Sequence, residues 1–443
     1  LGQHILMGWS NGSLYFSCGF EAQSVEQLRT LTGTAANFTI DTTNFNSGAA
    51  SMKFSKAAGD NQFHCRGLLA LPNIPCRAMT FALRVVTPPV NNGGIGIMTL
   101  SYIFGGTHLG EAFGIYSDGS GNTKPHILQH NNVAAWTGTT TLADNTWYYF
   151  QTIMWIERSQ WQTMLVVRNS SGTELERSPV VSVAHSVPVS NISGFGFGAI
   201  CKSGSASLND ALEYQVDDIA VVLGGVFAPN TVKHKVMRGN ANGTDTGWTG
   251  NGGGGGGGDY DDYNDAAPDD DTSYISATGN ATETCTDSTW ADPTAGAEEF
   301  FAVNIWGRMK RSSGTGNRLI QCYIREGGTN DNGSGLSVVA SNSYVYVWWL
   351  HPRLPSSGIN VDVGVGIGGD SGSPWTSATI GAIEFGVIVG VLSGTATVRC
   401  TQAVAEVCYG VEWSDTFGGN PTMRETNTTT TTRRVLDMRS EIQ

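Results

Sequence analysis

Short runs of alternating apolar and polar residues, each closed by a cluster of Gly, Asn, Ser or Asp, recur along most of this chain. "TWYYFQTIMWI" (146–156) and "QTMLVVRN" (162–169) pair as a hairpin leading into the turn "NSSG", and "GFGFGAI" (194–200) and "EYQVDDIAVV" (213–222) give two further strands. In the last of these, Tyr214 and Val216 fall on the inward face, and Glu213, Gln215 and Asp217 on the outward one. One buried and one wetted face is the pattern of antiparallel sheets stacked as a sandwich. A second β-patterned series follows, with its best strands at 300–310, 318–326, 343–350 and 382–392. "SVEQLRTL" (24–31) is the longest stretch with helical periodicity.

These runs divide the chain of 443 residues into an all-β pair of units, in keeping with the usual size of a domain. Residues 1–12 form an N-terminal arm, 13–223 the first β unit, 224–258 a turn-rich connector with a glycine run, 259–411 a second, smaller β-sandwich, and 412–443 an extended Thr-rich tail. The tail lacks the apolar surface to fold alone, so it is either frayed or docked on a neighbour. Composition supports the β reading. Charged residues are 14% and glycines number 58, against roughly 25% and about 7% in an average globular chain.

A net charge of −13 with no basic stripe disfavours nucleic acid as a partner. No apolar stretch reaches the ~18 residues of a membrane-spanning helix, so no membrane partner is expected. The first twenty residues lack a basic region followed by a long apolar run, which reads as no signal peptide and synthesis in a cytoplasm. Eight cysteines, at 18, 65, 76, 201, 285, 322, 400 and 408, never form C-x-x-C, so they read as buried thiols, with 65/76 and 400/408 the pairs nearest in sequence.

Residues 251–274, "NGGGGGGGDYDDYNDAAPDDDTSY", carry the densest charge, with seven aspartates from Asp259 to Asp271 and no Lys or Arg between Arg238 and Arg308. A solvated acidic loop is the plain reading. Calcium is the chemical one, with Asp259, Asp261, Asp262, Asp269, Asp270 and Asp271 as candidate ligands, although the EF-hand spacing is not met. No other cofactor is expected.

Catalysis finds little support. "GDSGSP" (369–374) and "SVAHS" (182–186) would need Ser371 and His185 to meet across two units, and Glu157, Glu174 and Glu176 sit in or beside turns rather than on one strand face as a glycosidase acid pair would. Sugar binding would instead use aromatic faces with amide groups nearby. Trp136, Trp155 and Trp161, together with Asn131 and Asn132 in "HNNVAAWTG" (130–138), are the candidates. His108, His126 and His130 show no metal spacing and read as surface-loop residues.

"DDYNDAAPDDDTSYISATGN" (261–280), with Trp248 upstream, resembles a recurring element of tailed-phage structural proteins, in which an acidic run leads into a strand. The order that follows fits as well: "RMKRSSGTGNRLIQCYIREGG", "ASNSYVYVWWLHP", then "WTSATIGAIEFGVIVG". "YFSCGFEAQ", "DNTWYYFQTIMWI" and "YQVDDIAVV" resemble the start, middle and end of a concanavalin A-like, laminin-G-like jelly roll. The resemblance implies a jelly roll followed by a β-sandwich in a virion structural protein, made in the host bacterial cytoplasm and assembled with other virion proteins, as a homo-oligomer. It departs from the pattern at the glycine run, at 354–375 and at the Thr tail. Capsid decoration and a tail or fibre position both remain open at this point. The rival function is a carbohydrate-binding adhesin that attaches the particle to host glycans, and a polysaccharide depolymerase ranks below it.

Overall fold

The strand Leu212–Leu223 organises the first unit. One side pairs with Cys76–Thr87, and the other takes Ser51–Lys56 on its first half and Ser13–Cys18 on its second. The computed structural model describes residues 13–69, 76–103, 111–129, 133–156, 160–184, 192–204, 209–223, 229–251, 259–295, 298–316, 318–332, 336–338, 343–352, 374–391 and 393–411. Among these, the first unit is an all-β jelly-roll sandwich whose sheets hold nine and seven strands. The hairpin read from the sequence is present as Trp147–Ile156 against Gln160–Asn169.

The inner faces of the two sheets share one core that includes Phe16, Phe54, Phe81, Ile97, Phe113, Phe150, Phe195 and Val216. In Ile192–Gly204 the phenylalanines at 195 and 197 face this core, and glycine alternates with them. A Cβ on Gly198 would lie 1.9 Å from the His64 carbonyl oxygen, so the close approach of the two strands requires glycine there.

The second unit stacks two more sheets, each of six strands among the described residues. Its longest strands, Glu298–Ser313 and Thr397–Val411, are neighbours in one sheet; Arg318–Glu326 and Glu384–Val391 are neighbours in the other. Residues 224–258, expected to be a connector, instead supply three of its strands. Lys233–Arg238 pairs with Thr397–Val411, Ala241–Thr246 with Ala281–Thr286, and Thr249–Gly250 with Ile275–Ala277. Alternation is hard to see in "ANGTDT" because this edge strand has only intermediate and exposed positions.

Two other expectations fail. Residues 24–31 hold a single 3-10 turn, Val25–Gln27, capped by the Ser24 hydroxyl, and the chain then becomes the strand Arg29–Thr32. Pairing with His64–Leu69 overrides the helical periodicity. Gln215 and Asp217 were expected to face water, yet both are buried. Gln215 is closed over within the first unit, accepting from Arg84 and donating to Asp41, and Asp217 by the amides of Asn46 and Ser47. Elsewhere on the same sheet the second unit supplies the cover. Leu14, Ala78, Ile153, Val166, Ala220 and Val222, on the outer face of the nine-stranded sheet, pack against Phe301, Ala302, Leu350 and Cys408.

Where the second unit covers it, the outer face of this sheet behaves as protein interior. Phe301→Ala, which empties the centre of this interface, is expected to cost about 3–5 kcal/mol. The check is chemical denaturation of the full chain, read as a fall in midpoint with the slope unchanged.

Candidate functional site

Between the two units lies a strip of buried polar groups that includes Glu21, Asp217, Asp218, His234 and Glu406, each with a relative exposure of 0%. Its geometry begins with an irregularity in Leu212–Leu223. Pairing with Cys76–Thr87 shifts register between Asp217 and Ala220, and Asp218 adopts a left-handed φ of 52°. Aspartate tolerates that conformation better than most residues, and a bulge of this kind re-aims side chains. The bulge falls where the partner strand changes from Ser51–Lys56 to Ser13–Cys18.

The loop 44–49 closes over the bulge. The Asn46 amide donates to Asp217 Oδ2 at 2.8 Å, Asn46 Nδ2 to Asp218 Oδ2 at 2.7 Å, and the Ser47 hydroxyl to Asp218 Oδ1 at 2.5 Å. His234, on the strand Lys233–Arg238, places Nδ1 3.1 Å from Asp218 Oδ1. Glu406, from the second unit, accepts from the amides of Gly19 (3.3 Å) and Glu21 (2.8 Å), from Gln27 Nε2 (3.1 Å) and from Trp306 Nε1 (2.9 Å). One carboxylate thus gathers donors from both units, and hydrogen bonds to a charged acceptor are the stronger kind.

Burial, with Glu406 adding repulsion, pushes the Glu21 carboxyl up to about 8. Burial, then the neighbouring Asp218 and Glu21, holds Asp217 well above the usual carboxylate range. For His234, burial opposes the charge, but Cys408 and the Asp218 carboxylate outweigh it and hold the imidazole above its ordinary range. The strip can store protons and join two units. A nucleophile with an adjacent base and an oxyanion pocket is not formed by it.

The acidic stretch has a different fate from the one its composition suggests. Asp270 accepts from Arg308 Nε at 2.7 Å, and Asp271 from Lys310 Nζ at 2.6 Å and Arg399 Nη1 at 2.8 Å. Asp269 accepts from the Ser273 amide at 3.1 Å and from its hydroxyl. Asp261 is exposed and Asp262 half-buried, both in the short turn Asp259–Asp262, and the side chain of Asp259 lies outside the described residues. Among the described residues no group of three or more His, Cys, Asp or Glu is placed to hold a metal. The basic partners come from strands distant in sequence, which is why the stretch looks unpaired when read linearly.

Trp136 is half-buried on the edge strand Ala134–Thr137, packed partly against the first core. Trp155 and Trp161 lie on paired strands as cross-strand neighbours of Gln162 and Ile156, but their side chains, and Asn131 and Asn132 altogether, lie outside the described residues. So do His108, His130, Glu157, His185 and Ser371. His126, expected in a surface loop, is buried in the strand Thr123–Leu128, and burial lowers its imidazole to about 4. Glu174 is held by Arg177 at 2.5 Å and Glu176 by the Thr139 amide at 2.6 Å. The six cysteines with described side chains are buried and free, including Cys65, Cys400 and Cys408.

Sequence reasoning missed Glu21, His234 and Glu406. Glu21 and Glu406 are each the one charged residue of a largely apolar run, "CGFEAQ" and "QAVAEVCYG", and that is the signal they carried; His234, between Lys233 and Lys235 in "TVKHKVM", carried none.

No family model matches the chain, and no curated protein matches it. Among solved structures, the chain is similar to the cellulose induced protein Cip1, with a TM-score of 0.33 and 17% identity over 48% of this chain and 100% of that one. It is similar to the tandem CBM22-1-CBM22-2 domain of Xyn10C from Paenibacillus barcinonensis, with a TM-score of 0.26 and 10% identity over 90% and 98% of the two chains. It is also similar to the lectin UEA-II complexed with galactose, at 0.24 and 10%, over 47% and 99%. Identities and scores this low assign no function.

The ion pairs of the acidic stretch differ in burial, and that difference sets their worth. The Arg308 side chain is 8% exposed and that of Arg399 29%. Arg308→Ala is expected to destabilise the chain by about 1.5–3 kcal/mol, because it removes a buried guanidinium with its charged hydrogen bonds to Asp270 and Glu26, although both carboxylates are about half exposed, and Arg399→Ala by under about 1 kcal/mol. Thermal unfolding of the two variants side by side measures the gap.

Proposed function

We propose that the protein is a non-catalytic structural component of a tailed-phage virion, on the capsid surface or on the tail, acting by protein–protein assembly with other virion proteins and with copies of itself. The observation that supports this reading is the junction. An apolar interface and a buried polar strip join the two sandwiches, so the chain is built as one stiff four-layered block rather than as two tethered modules. Stiffness across two domains suits a part that must hold position in an assembly. The acidic segment through which the chain resembles phage structural proteins serves the same end, pinned to the second sandwich by Arg308, Lys310 and Arg399.

A second reading, attachment to glycans, draws on Trp136, which keeps part of its ring uncovered on an edge strand of the seven-stranded sheet. An aromatic face at an open edge is a platform for a sugar ring, and it is compatible with a place on a particle surface. Depolymerisation has less to support it, since Glu174 and Glu176 are engaged by an arginine and by backbone amides.

Imaging of an intact particle at a resolution that traces side chains is expected to locate this chain on the outer surface, with the two sandwiches docked as a block. Absence of the chain from purified particles would reject the structural role. A glycan panel probed with the full chain separates the second reading: binding that Trp136→Ala abolishes supports attachment, and silence across the panel removes it.

A further inference from the structure

Glu21 is unlike the other carboxylates of the junction. Its Oε1 accepts from the Ala49 amide at 2.9 Å, while its Oε2 is buried without a partner among the described residues. The space around it is closed. A Cβ on Gly48 would lie 1.8 Å from Glu21 Oε1, and Gly48 has a φ of +67° besides, so this turn fits against the carboxyl only as glycine. Arg238, close by, commits its guanidinium to backbone carbonyls rather than to the carboxyl. It donates to the Glu21 backbone carbonyl at 2.6 Å and to the Asp265 carbonyl at 2.8 Å.

The groups that face Glu21 come from every element packed on it. Asp218 lies on Leu212–Leu223, His234 and Arg238 on Lys233–Arg238, Glu406 on Thr397–Val411, and the amide of Ala49 beyond the loop. Glu406 and Asp218 oppose a charge on Glu21, and His234 and, from the backbone side, Arg238 favour one; burial together with the first two outweighs them. Glu406 is already committed to four donors, two of them the Gly19 and Glu21 amides that flank this carboxyl in sequence. A second negative charge here would sit in a dry space with a single hydrogen bond to hold it, at the point where the second unit grips the first.

We propose that the junction is a proton-dependent clamp: Glu21 keeps a hydrogen on its carboxyl while the two sandwiches are closed over it, and the docked arrangement weakens as the surroundings turn from acid to alkaline. The direction follows from linkage. A carboxyl that binds its proton more tightly when folded stabilises the fold fully below the unfolded value and loses that contribution as pH rises to the folded one. With Glu21 held up to about 8, the window runs from the ordinary carboxylate range to about pH 8. Across it, one such group changes the folding equilibrium by up to about tenfold per pH unit.

The test is the unfolding equilibrium of the full chain from pH 5.5 to 7.5, wild type against Glu21→Gln, whose neutral side chain imitates the protonated acid. Wild type is expected to lose close to tenfold more per pH unit than the variant. The difference isolates Glu21 from Glu111, another carboxyl that burial pushes up to about 8. Equal slopes for the two proteins overturn the clamp. Should Glu21→Gln not fold, Glu406→Gln removes the charged neighbour and is expected to bring the upper end of the window to lower pH; an unmoved end overturns the proposal too. Stability that rises with added calcium and falls with a chelator at fixed pH would mean that a cation takes the place of the proton, and would also overturn it.

Discussion

The nine-stranded sheet of the first unit is packed on both of its faces, and most of the structure follows from that. Its inner face meets the seven-stranded sheet and its outer face meets the second sandwich, through Leu14, Ile153, Val166 and Val222 against Phe301 and Leu350. An antiparallel sheet normally keeps one side wet and can place polar residues there freely. Where the second unit covers the outer face, its polar residues must find their partners inside the protein. Gln151 does so by donating to the Pro229 carbonyl at 2.7 Å and Tyr149 by donating to the Val232 carbonyl at 2.9 Å, while from the second unit Asn304 donates to the Ser17 carbonyl at 2.7 Å. These bonds cross between the units, so the same constraint that hides the polar groups also fixes how the two sandwiches sit.

Carboxylates are the hard case, because an ionised group without donors is far costlier to bury than an amide. The fold meets this with backbone amides as well as cations. Loop 44–49 turns the amides of Asn46, Ser47 and Ala49 inward; Asp217, at the bulge, receives the first two and Glu21 the third. A left-handed aspartate is an unfavourable conformation in isolation, and its neighbours over-determine it: Asn46, Ser47 and His234 all reach the one side chain. Glu21 is the member for which this solution is incomplete, with one oxygen served and one not.

The sequence disclosed strands far better than it disclosed the junction. Period-two alternation located Trp147–Ile156, Gln160–Asn169 and Leu212–Leu223 nearly to the residue, because packing against a core enforces it. The same alternation misplaced Gln215 and Asp217, since a pattern within one strand cannot reveal that Arg84 and Asp41 will close over the one and loop 44–49 over the other. "IAVVL" at 219–223 did hold a hint. An unbroken apolar run is what a strand buried on both faces looks like. The connector at 224–258 was hidden for the opposite reason: edge strands such as Ala241–Thr246 bury little and so leave little pattern. Salt-bridge partners were illegible in principle, since Asp271 and Arg399 lie 128 positions apart and only the pairing of Ile275–Ala277 with Thr397–Val411 brings them together.

Arg308 shows how the acidic stretch and the junction belong to one design. Its guanidinium bonds Asp270, at the entry to the second sandwich, and also Glu26, in the turn that follows the first strand of the first. The rings of Tyr344 and Tyr346 stand 5.3 and 5.2 Å from its centre, so the cation is held by aromatic faces as well as by carboxylates. Tyr346 in turn donates to Gln402 Oε1 at 2.9 Å, and Gln402 Nε2 reaches the Ala22 carbonyl at 3.2 Å, one residue from Glu21. The chain of contacts therefore runs from the acidic segment through one arginine, one tyrosine and one glutamine to the backbone carbonyl next to Glu21. An aspartate run that looks in sequence like a solvated loop is, in the folded chain, the outer end of the same polar network that joins the two sandwiches.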